Sequence, residues 1–386
     1  MELPADLLKR GIKKVIDKES LLRRLKAKSL RIKFGVDPTS PNIHLGQAVT
    51  LRKLAQLQAL GHQIIFLIGD FTATIGDPSG AKKTRPILTK EEVEKNAQTY
   101  LKQVGKILDV HKTEIQRNSK WYSQMSLAQF FQIKSLFSLQ RILERDDFSQ
   151  RLKNEVEIGL HEIDYPVLQA YDSVVLKVDL EVGGSDQEFN LLAGRRLMKQ
   201  LGLAPQEVVM TELLVGTDGQ KKMSKSLGNA IGICEPANQM YGKIMSLDDS
   251  LLPSYWELCT DLPLEKLNEL KNPRDQKAYL AFEIVKIYHG RQKAEEAARE
   301  FERVFQKGLP PSQMSEFVLQ GEWSVFELLP KLKLTQSKSE ARRLVEQKGV
   351  KIGGRLIEDA NERIQLKDGL VVQVGRRRFA KIKTKE

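Results

Sequence analysis

Residues 29–68, SLRIKFGVDPTSPNIHLGQAVTLRKLAQLQALGHQIIFLI, decide the fold of this chain. Residues 29–36 predict a strand, and after a Pro-bounded turn residues 43–60 carry apolar side chains at helical spacing. Gly61 is the predicted C′ residue of that helix, and residues 63–68 predict a buried strand. A strand, a helix and a strand at this spacing form a βαβ unit, which predicts a parallel sheet with a right-handed crossover.

Loops at the carboxyl ends of parallel strands are where such sheets bind ligands. Two loops belong there: the turn that leads to His44-Leu45-Gly46-Gln47, and the Gly-rich residues 69–80. Thr89 and Glu92 then predict a capping box at the start of another helix. Farther on, residues 173–182 alternate like a strand and end in Gly183-Gly184-Ser185-Asp186-Gln187. A helix to about residue 201 and a short strand at 208–211 complete the predicted sheet domain.

The chain has 386 residues, which predicts two or three domains. Residues 229–310 are helical and charged in pattern, and Pro310-Pro311-Ser312 with the polar residues after it is interpreted as a linker. Residues 323–348 predict two short helices, and residues 349–383 predict short strands. We therefore expect an α/β, Rossmann-like parallel-sheet domain at 1–228, an α-helical domain at 229–310 and a small α+β domain at 323–386.

Composition excludes several classes of protein. Hydrophobic residues make up 41% and charged residues 29% of the chain, which is typical of a globular protein. No stretch approaches the roughly 20 apolar residues of a membrane span, and the N-terminus has no secretory pattern. Cys234 and Cys259 belong to no CxxC pair, so we expect no zinc site, no disulfide framework and a cytoplasmic location.

The net charge of +12 is concentrated near the C-terminus. Residues 323–386 hold 16 Lys/Arg against 8 Asp/Glu. Because counterion release favours the binding of basic modules to phosphate polymers, this segment indicates a nucleic-acid partner. The alternative is a solubilising tail, but the segment also carries an apolar pattern that is able to fold.

Two motifs suit nucleotide chemistry. His44-Leu45-Gly46-Gln47 opens a helix, whose free N–H groups attract phosphate, and Gly46 permits close approach of a nucleotide. Lys222-Met223-Ser224-Lys225-Ser226 is a lysine-bearing loop that could close on a triphosphate and stabilise departing pyrophosphate. Each motif has a plain structural alternative, a surface histidine or a solvated lysine-rich turn. Their occurrence together across one α/β domain favours function.

These two motifs resemble the signatures of class I aminoacyl-tRNA synthetases. The stretches GVDPT (35–39), GDPSG (76–80), YPVLQAYD (165–172) and GGSDQ (183–187) resemble bacterial tyrosyl-tRNA synthetases specifically. The C-terminal segment resembles the small RNA-binding domain that these enzymes share with a ribosomal small-subunit protein. The resemblance implies that residues 1–228 form the catalytic domain, that 229–310 lie on the anticodon side, and that 323–386 bind RNA.

Tyr165, Gln169 and Asp172 fall on one face of a helix because they are spaced 0, +4 and +7. They interrupt an apolar run, so they need either a small polar ligand or a structural hydrogen-bond network as partner. By resemblance, Tyr165, Gln169 and Asp77 hold the α-ammonium of tyrosine, with Thr72 nearby. Asp172 then accepts a hydrogen bond from the phenol hydroxyl.

The resemblance also implies an ATP site, in which Gly184 and Asp186 contact the ribose and Gln187 lies near the α-phosphate. The residues that line the rest of this site would be Gly35, Asp37, Thr39, His44, Gly46, Gln47, Lys222, Met223 and Lys225. Thr39 and His44 would face the leaving phosphates, and Lys222 and Lys225 would clamp them. Lys82 and Arg85 belong to a loop that resembles a further basic element.

Three residues depart from the family pattern. Lys33 stands where many members have a tyrosine residue that also contacts the phenol of the substrate. Gln47 replaces the usual last histidine of its motif, and Ala81 breaks a common Gly-Lys step. Lys33 is therefore carried forward as a candidate at the phenol end of the tyrosine site.

The implied reaction activates tyrosine with ATP and then transfers tyrosine to tRNA(Tyr). The resemblance implies that ATP binds as its Mg²⁺ complex, without a protein-bound metal, and that the enzyme is a homodimer. A tryptophan-specific sister enzyme is one alternative, against which Asp172 and the GGSDQ stretch argue. A non-catalytic RNA-binding paralogue is another, against which His44, Asp186, Lys222 and Lys225 argue.

Overall fold

The computed structural model describes residues 3–79, 88–312, 314–375 and 378–384 of the chain. Lys82, Arg85 and Ala81 lie outside the described residues. The chain forms two compact units, Met1–Tyr288 and His289–Glu386. The predicted domains at 1–228, 229–310 and 323–386 are a different division of the chain from these two units. Their boundaries therefore stay predictions.

A six-stranded sheet organises the first unit. Its strands lie in the order β1-β6-β5-β2-β3-β4, and all neighbours are parallel except β1, which runs antiparallel to β6. The strands are β1 Ile12–Ile16, β2 Arg31–Val36, β3 Gln63–Ile68, β4 Thr113–Arg117, β5 Leu180–Gly184 and β6 Glu207–Thr211. The near-continuous apolar sequence of β3 is buried, as in a sheet covered on both faces. The predicted α/β class with a parallel sheet is confirmed.

Helices make up much of the rest of the first unit. They are α1 Lys18–Ala27, α2 Leu45–Ala59, α3 Lys90–Val104, α4 Ser119–Tyr122, α5 Leu127–Lys134, α6 Leu139–Leu143, α7 Asp146–Lys153, α8 Leu160–Val175, α9 Glu188–Gln200, α10 Ala237–Met245, α11 Leu252–Cys259, α12 Glu265–Glu269 and α13 Pro273–His289. Thr89 and Glu92 form the predicted capping box of α3. Gly61 follows α2 with a φ of +83°, which a glycine adopts without strain. No helix among the described residues is long and apolar enough to cross a membrane.

The predicted strand at residues 173–182 is wrong over most of its length. Helix α8 continues through Val175, and the strand begins only at Leu180. The chain turns between them through Lys177, which has a φ of +49°. The apparent alternation therefore spans a helix end, a turn and the start of a strand, because a period of two can arise by chance over so few residues.

The second unit contains α14 and a small α+β fold. After the π-helical turn Glu302–Gln306, its elements are β7 Ser315–Val318, β8 Glu322–Ser324, α15 Val325–Lys331, α16 Lys338–Glu346, β9 Val350–Ile352, β10 Arg355–Leu356, β11 Arg363–Gln365, β12 Val371–Val374 and β13 Arg378–Lys383, with α14 at Arg291–Phe301. Five strands pair in the order β10-β9-β12-β13-β7 and share one apolar core with α15 and α16. The two short helices and the short strands are confirmed.

The interpretation of the polar residues after Ser312 as a linker is wrong from residue 315 onward. Ser315–Val318 forms β7 and pairs in parallel with β13. Its pattern misleads because three of its four side chains are exposed, and only Phe317 packs against the core. An edge strand with one apolar contact is difficult to distinguish from a loop by pattern.

Candidate active site

A cavity of about 300 Å³ lies at the carboxyl ends of β2, β3, β5 and β6. Most of the predicted site residues line it, and they are Lys33, Gly35, Asp37, Thr39, His44, Gly46, Gln47, Thr72, Asp77, Tyr165, Gln169, Asp172, Gly184, Asp186, Gln187, Lys222 and Met223. A larger surface cleft, of about 760 Å³, includes only Asp186 of this set. The concentration of polar groups therefore favours the smaller cavity as the candidate site.

His44 caps the N-terminus of α2. Its backbone N–H donates to Gln47 Oε1 at 3.2 Å, and its Nδ1 accepts from the Gln47 N–H at 3.4 Å. Burial, together with the charges of Lys225 and Lys222, lowers the pKa of His44 to about 4. The ring is thus neutral at neutral pH, and because Nδ1 is an acceptor, Nε2 carries the proton and can donate it to a ligand.

The lysine loop closes one wall of the cavity. Met223 Sδ lies 3.4 Å from the Gly46 N–H, so the loop contacts the first turn of α2. The Lys222 ammonium lies 2.5 Å from Asp186 Oδ2, and the Lys225 ammonium donates to Ser40 Oγ at 3.0 Å. Burial lowers the pKa of Lys225 to about 8. Lys225 does not line the 300 Å³ cavity, so the structure brings only the first lysine of the motif to it.

Asp37 directly follows β2, is partly exposed, and is held by two hydroxyl donors. It accepts from Thr72 Oγ1 at 2.7 Å and from the Tyr165 hydroxyl at 2.9 Å. Burial raises the pKa of Asp37 to about 7, and the charge of Asp77 acts in the same direction. Gly69 lies against this group, where any Cβ would overlap Asp37 and Thr72. The Tyr165 hydroxyl, predicted to face the substrate ammonium, is thus shared with Asp37.

Asp77 is oriented by groups from two elements. Its Oδ1 accepts from the Ser79 N–H at 2.9 Å, and its Oδ2 accepts from Gln187 Nε2 at 2.8 Å. Gln187 Oε1 in turn accepts from Asn190 at 3.0 Å. Two predicted residues from distant parts of the sequence are therefore in direct contact, with a carboxylate facing the cavity.

Asp172 is 3% exposed and accepts hydrogen bonds from three side chains. Its Oδ1 accepts from Trp121 Nε1 at 3.0 Å and from the Tyr122 hydroxyl at 2.8 Å, and its Oδ2 lies 3.4 Å from Asn118 Nδ2. Burial raises its pKa to about 6, although Lys33 and these donors act in the opposite direction. Asp172 is therefore an ionised, preoriented acceptor at neutral pH.

Lys33 and Glu181 form a buried ion pair on neighbouring strands. They are register partners in the parallel ladder of β2 and β5, and their side chains are 0% and 1% exposed. Lys33 Nζ lies 2.9 Å from Glu181 Oε1, 2.6 Å from Ser173 Oγ and 3.2 Å from the Gln169 carbonyl oxygen. The two charged groups line the cavity next to Gln169 and Asp172.

Sequence reasoning missed the residues that support this site, which are Asn118, Trp121, Tyr122, Glu181 and Gln206. The first three follow the carboxyl end of β4, so the rule that ligands bind at that edge could have indicated them. That signal was lost because β4 itself was not predicted. Nothing in the local pattern around Glu181 or Gln206 indicates that they meet.

Comparison with known families agrees with this geometry. Residues 25–306 match the family described as tRNA synthetases class I (W and Y), and residues 327–370 match the S4 domain family. The first match spans well over half of the chain, so this protein belongs to the class I tRNA synthetase family of the W and Y enzymes.

Relatives within that family narrow the comparison. The chain is 47% identical over 383 residues to a protein named tyrosine–tRNA ligase from Mannheimia succiniciproducens, covering 97% of each chain. It is 48% identical to the tyrosine–tRNA ligase of Francisella tularensis, covering 98% of this chain and 97% of that one. Among solved structures, a C-terminally truncated mitochondrial tyrosyl-tRNA synthetase from Coccidioides posadasii is similar, with a TM-score of 0.63 and 25% identity over 76% of this chain and 90% of that one.

Proposed function

We propose that this chain is a tyrosine–tRNA ligase. The observation that carries the proposal is one cavity that joins the N-terminus of α2 and the lysine loop to a buried carboxylate, Asp172, that accepts hydrogen bonds. Relatives named tyrosine–tRNA ligase, at 46–48% identity over nearly the whole chain, support the same amino acid.

In the first step, the tyrosine carboxylate attacks the α-phosphorus of ATP and pyrophosphate leaves. His44 Nε2–H and Thr39 donate to the leaving phosphates, and Lys222 and Lys225 close on them; the presence of His44, Thr39 and Lys222 in the cavity lining supports these roles. Catalysis then comes from positioning and from stabilising the charge on pyrophosphate, since this step needs no protein base. Mg²⁺ enters with ATP as part of the substrate complex.

The remaining nucleotide contacts are proposed from the family resemblance, and the cavity lining supports them. Asp186 accepts from the ribose hydroxyls beside Gly184, after Lys222 turns from Asp186 to the phosphates. Gly35, Asp37, Gly46, Gln47, Gln187 and Met223 line the nucleotide path. The proposed role of Lys82 and Arg85 as additional phosphate ligands rests on the resemblance alone.

Tyrosine occupies the opposite end of the cavity. Asp77, Gln169 and Tyr165 surround its α-ammonium with oxygen acceptors, with Thr72 behind them. Asp172 accepts a hydrogen bond from the phenol hydroxyl, so a substrate without that hydroxyl leaves a buried carboxylate underpaired. The unpaired acceptor is the physical basis of discrimination against phenylalanine. Selection of tyrosine over phenylalanine by tyrosyl-tRNA synthetases is a standard example of such discrimination.

In the second step, a ribose hydroxyl at the 3′ end of tRNA(Tyr) attacks the adenylate and AMP leaves. We assign residues 229–310 to the anticodon side and 323–386 to RNA binding, and we place the reaction in the cytoplasm with translation. The S4 match supports the RNA role. So do the exposed cations of this segment that have no ionic partner among the described residues, which are Lys331, Lys333, Arg342, Arg343, Lys351 and Lys367.

A homodimer accounts for an apolar surface on the first unit. Leu160 is 81% exposed and Leu127 is 71% exposed, and Phe131 and Leu139 are more than half exposed. They lie on α5, α6 and the first turn of α8, and α5 is joined to α8 by a 2.6 Å ion pair between Lys134 and Asp164. An apolar surface of this kind marks a protein interface.

Sedimentation velocity tests the dimer. Leu127→Glu with Leu160→Glu is expected to give a monomer, whereas Leu264→Glu, at a separate exposed leucine, keeps the wild-type mass. An unchanged mass for the double variant contradicts the assignment of this surface.

Tyrosine-dependent ATP–pyrophosphate exchange tests the main proposal, with tryptophan and phenylalanine as controls. Exchange with tyrosine is expected, and its absence would overturn the proposal; exchange with tryptophan alone would favour the sister enzyme. A chain that ends before Trp323 is expected to keep exchange and to charge tRNA poorly. Unimpaired charging would show that the RNA-binding role of residues 323–386 is misassigned.

A further inference from the structure

The buried ion pair between Lys33 and Glu181 has no role in the chemistry described above. Both side chains line the amino-acid end of the cavity, and both are almost fully buried. A buried ion pair is weak evidence for stability, because removing two charges from water offsets most of their attraction. Its place beside the substrate pocket therefore calls for a different explanation.

Protein groups already surround the Lys33 ammonium, which donates two hydrogen bonds and forms an ion pair. An ammonium group has three N–H donors, and three acceptors lie within 3.2 Å of Lys33 Nζ: Ser173 Oγ, Glu181 Oε1 and the Gln169 carbonyl oxygen. A phenol hydroxyl would compete with these three protein partners inside a buried network. Lys33 is thus held by protein groups at the position where the family resemblance places a phenol ligand.

Glu181 fixes the orientation of Gln169. Its Oε1 accepts from Gln169 Nε2 at 3.1 Å, and its Oε2 accepts from Gln206 Nε2 at 2.6 Å and from Ser173 Oγ at 3.2 Å. An ionised carboxylate only accepts hydrogen bonds, so the NH₂ side of Gln169 must face it. The amide oxygen of Gln169, which has no partner among the described residues, is then directed away from Glu181.

We infer that Lys33 and Glu181 act as a positioning pair that turns the amide oxygen of Gln169 toward the substrate α-ammonium, and that neither contacts the phenol. This inference rests on the proposed function, because it concerns the ammonium of the same amino acid. Lys33 holds the Gln169 backbone and the Glu181 carboxylate, and Glu181 holds the Gln169 side chain. Recognition of the hydroxyl is left to Asp172.

Ligand pairs that differ in one group test the inference. Tyrosinol carries the ammonium and the phenol, 3-(4-hydroxyphenyl)propan-1-ol lacks only the ammonium, and phenylalaninol lacks only the phenol hydroxyl. Their dissociation constants are measured by calorimetry on the full chain with Lys33→Met combined with Glu181→Met, which removes the charges and the acceptor at similar volume. Tyrosinol binding is expected to weaken about tenfold or more, whereas 3-(4-hydroxyphenyl)propan-1-ol binding changes less than about twofold.

A conservative variant isolates the acceptor. Lys33→Met with Glu181→Gln keeps an oxygen opposite Gln169 Nε2 and is expected to recover most of the tyrosinol affinity. In a Gln169→Ala background, the Met–Met change is expected to have no further effect on tyrosinol, because the group that it positions is gone. Arg151→Met with Glu162→Gln is the matched control, since it removes another buried ion pair attached to α8 outside the cavity.

Two results would overturn the inference. An equal loss of both phenol ligands would show a general structural role, and a larger loss for tyrosinol than for phenylalaninol would show that Lys33 serves the phenol. If the Met–Met chain does not fold, a crystal structure of the wild type with tyrosinol decides: the Gln169 amide oxygen must lie within hydrogen-bond distance of the ammonium, and Lys33 must not reach the phenol oxygen. Wild-type exchange with tyrosine tests the proposed function separately, so the two failures are distinguishable.

Discussion

The two ends of the cavity are built differently. At the amino-acid end, Asp172 and Glu181 are buried and hold several fixed donors each. At the proposed nucleotide end, Lys222 is about one-third exposed and paired with Asp186, and Lys225, which does not line the cavity, is hydrogen-bonded to Ser40. Under the proposed function, the amino-acid end is already assembled, whereas the lysines of the nucleotide end exchange protein partners for phosphate.

This difference matches two demands on the enzyme. Selecting one amino acid requires acceptors that cannot move to suit a wrong substrate, and burial within a full hydrogen-bond network supplies this. Stabilising a leaving group requires charges that arrive as the reaction proceeds, which a loop can supply. Substitutions at the two ends should therefore change different kinetic constants.

The largest effect is expected at the nucleotide end. Lys222→Ala should lower kcat for ATP–pyrophosphate exchange by about 10²–10³-fold, because it removes a charge that acts mainly on departing pyrophosphate. The KM for tyrosine should stay within about twofold. Lys221→Ala, at the neighbouring exposed lysine, is the matched control and should change little. A rise in the KM for tyrosine as large as the fall in kcat would remove the distinction between the two ends.

At the amino-acid end, Asp172→Asn should lower kcat/KM for tyrosine by about a hundredfold and leave the weak reaction of phenylalanine nearly unchanged, since only tyrosine loses a charged acceptor. Steady-state exchange with each amino acid measures this, at saturating ATP. Equal losses of kcat/KM for tyrosine and phenylalanine would show that Asp172 determines the shape of the pocket and does not recognise the hydroxyl.

A smaller effect follows from pH. Burial raises the pKa of Asp172 to about 6, so its ionised form, the better acceptor, declines as the pH falls below about 6. Between pH 7 and pH 5, kcat/KM for tyrosine should fall about tenfold through this group, because each pH unit below a pKa costs a factor of ten. Burial raises the pKa of Asp37 to about 7, which predicts a separate decline at higher pH.

Asp172→Asn distinguishes these two groups. It should abolish the decline near pH 6 and keep the one near pH 7. If both declines persist in Asp172→Asn, the decline near pH 6 belongs to another group.

The smallest expected effect concerns Gln47. Gln47→Ala removes the acceptor of the His44 N–H and the donor to the Tyr100 hydroxyl. A lost helix cap costs about 1 kcal/mol, so a two- to tenfold rise in the KM for ATP is expected as His44 loses its fixed orientation. Glu92→Ala removes the equivalent capping group of α3 and should lower stability without changing the KM for ATP. Equal KM values for both variants would show that Gln47 only stabilises the helix.

Local sequence patterns predicted the parts of the fold that have local causes. The βαβ unit, the helix that opens at the His44 motif, the capping box of Thr89, and the helical face of Tyr165, Gln169 and Asp172 follow from local spacing. The strand predicted at 173–182 failed because a helix end and a turn together imitate alternation. Strand β7 was missed because most of its side chains face solvent.

The site was predicted to the extent that motifs place its residues. Spacing could not show which side chains hold the predicted site residues in place. Trp121 and Tyr122 reach Asp172 from α4, and Gln206, just before β6, reaches Glu181. Lys33 also misleads, since it sits between two apolar residues like a solvent-facing strand position. It is buried because both faces of a parallel sheet are covered.

The pairing of Lys33 with Glu181 on adjacent strands has a consequence for how this pocket can be altered. Replacing either residue alone leaves the other as an unpaired charge in the interior, which costs about 3–5 kcal/mol, whereas replacing both by apolar groups of similar size can be nearly neutral. Libraries that randomise one position at a time will therefore score each site as immutable. Redesign of the enzyme for other amino acids therefore has to vary the two codons jointly.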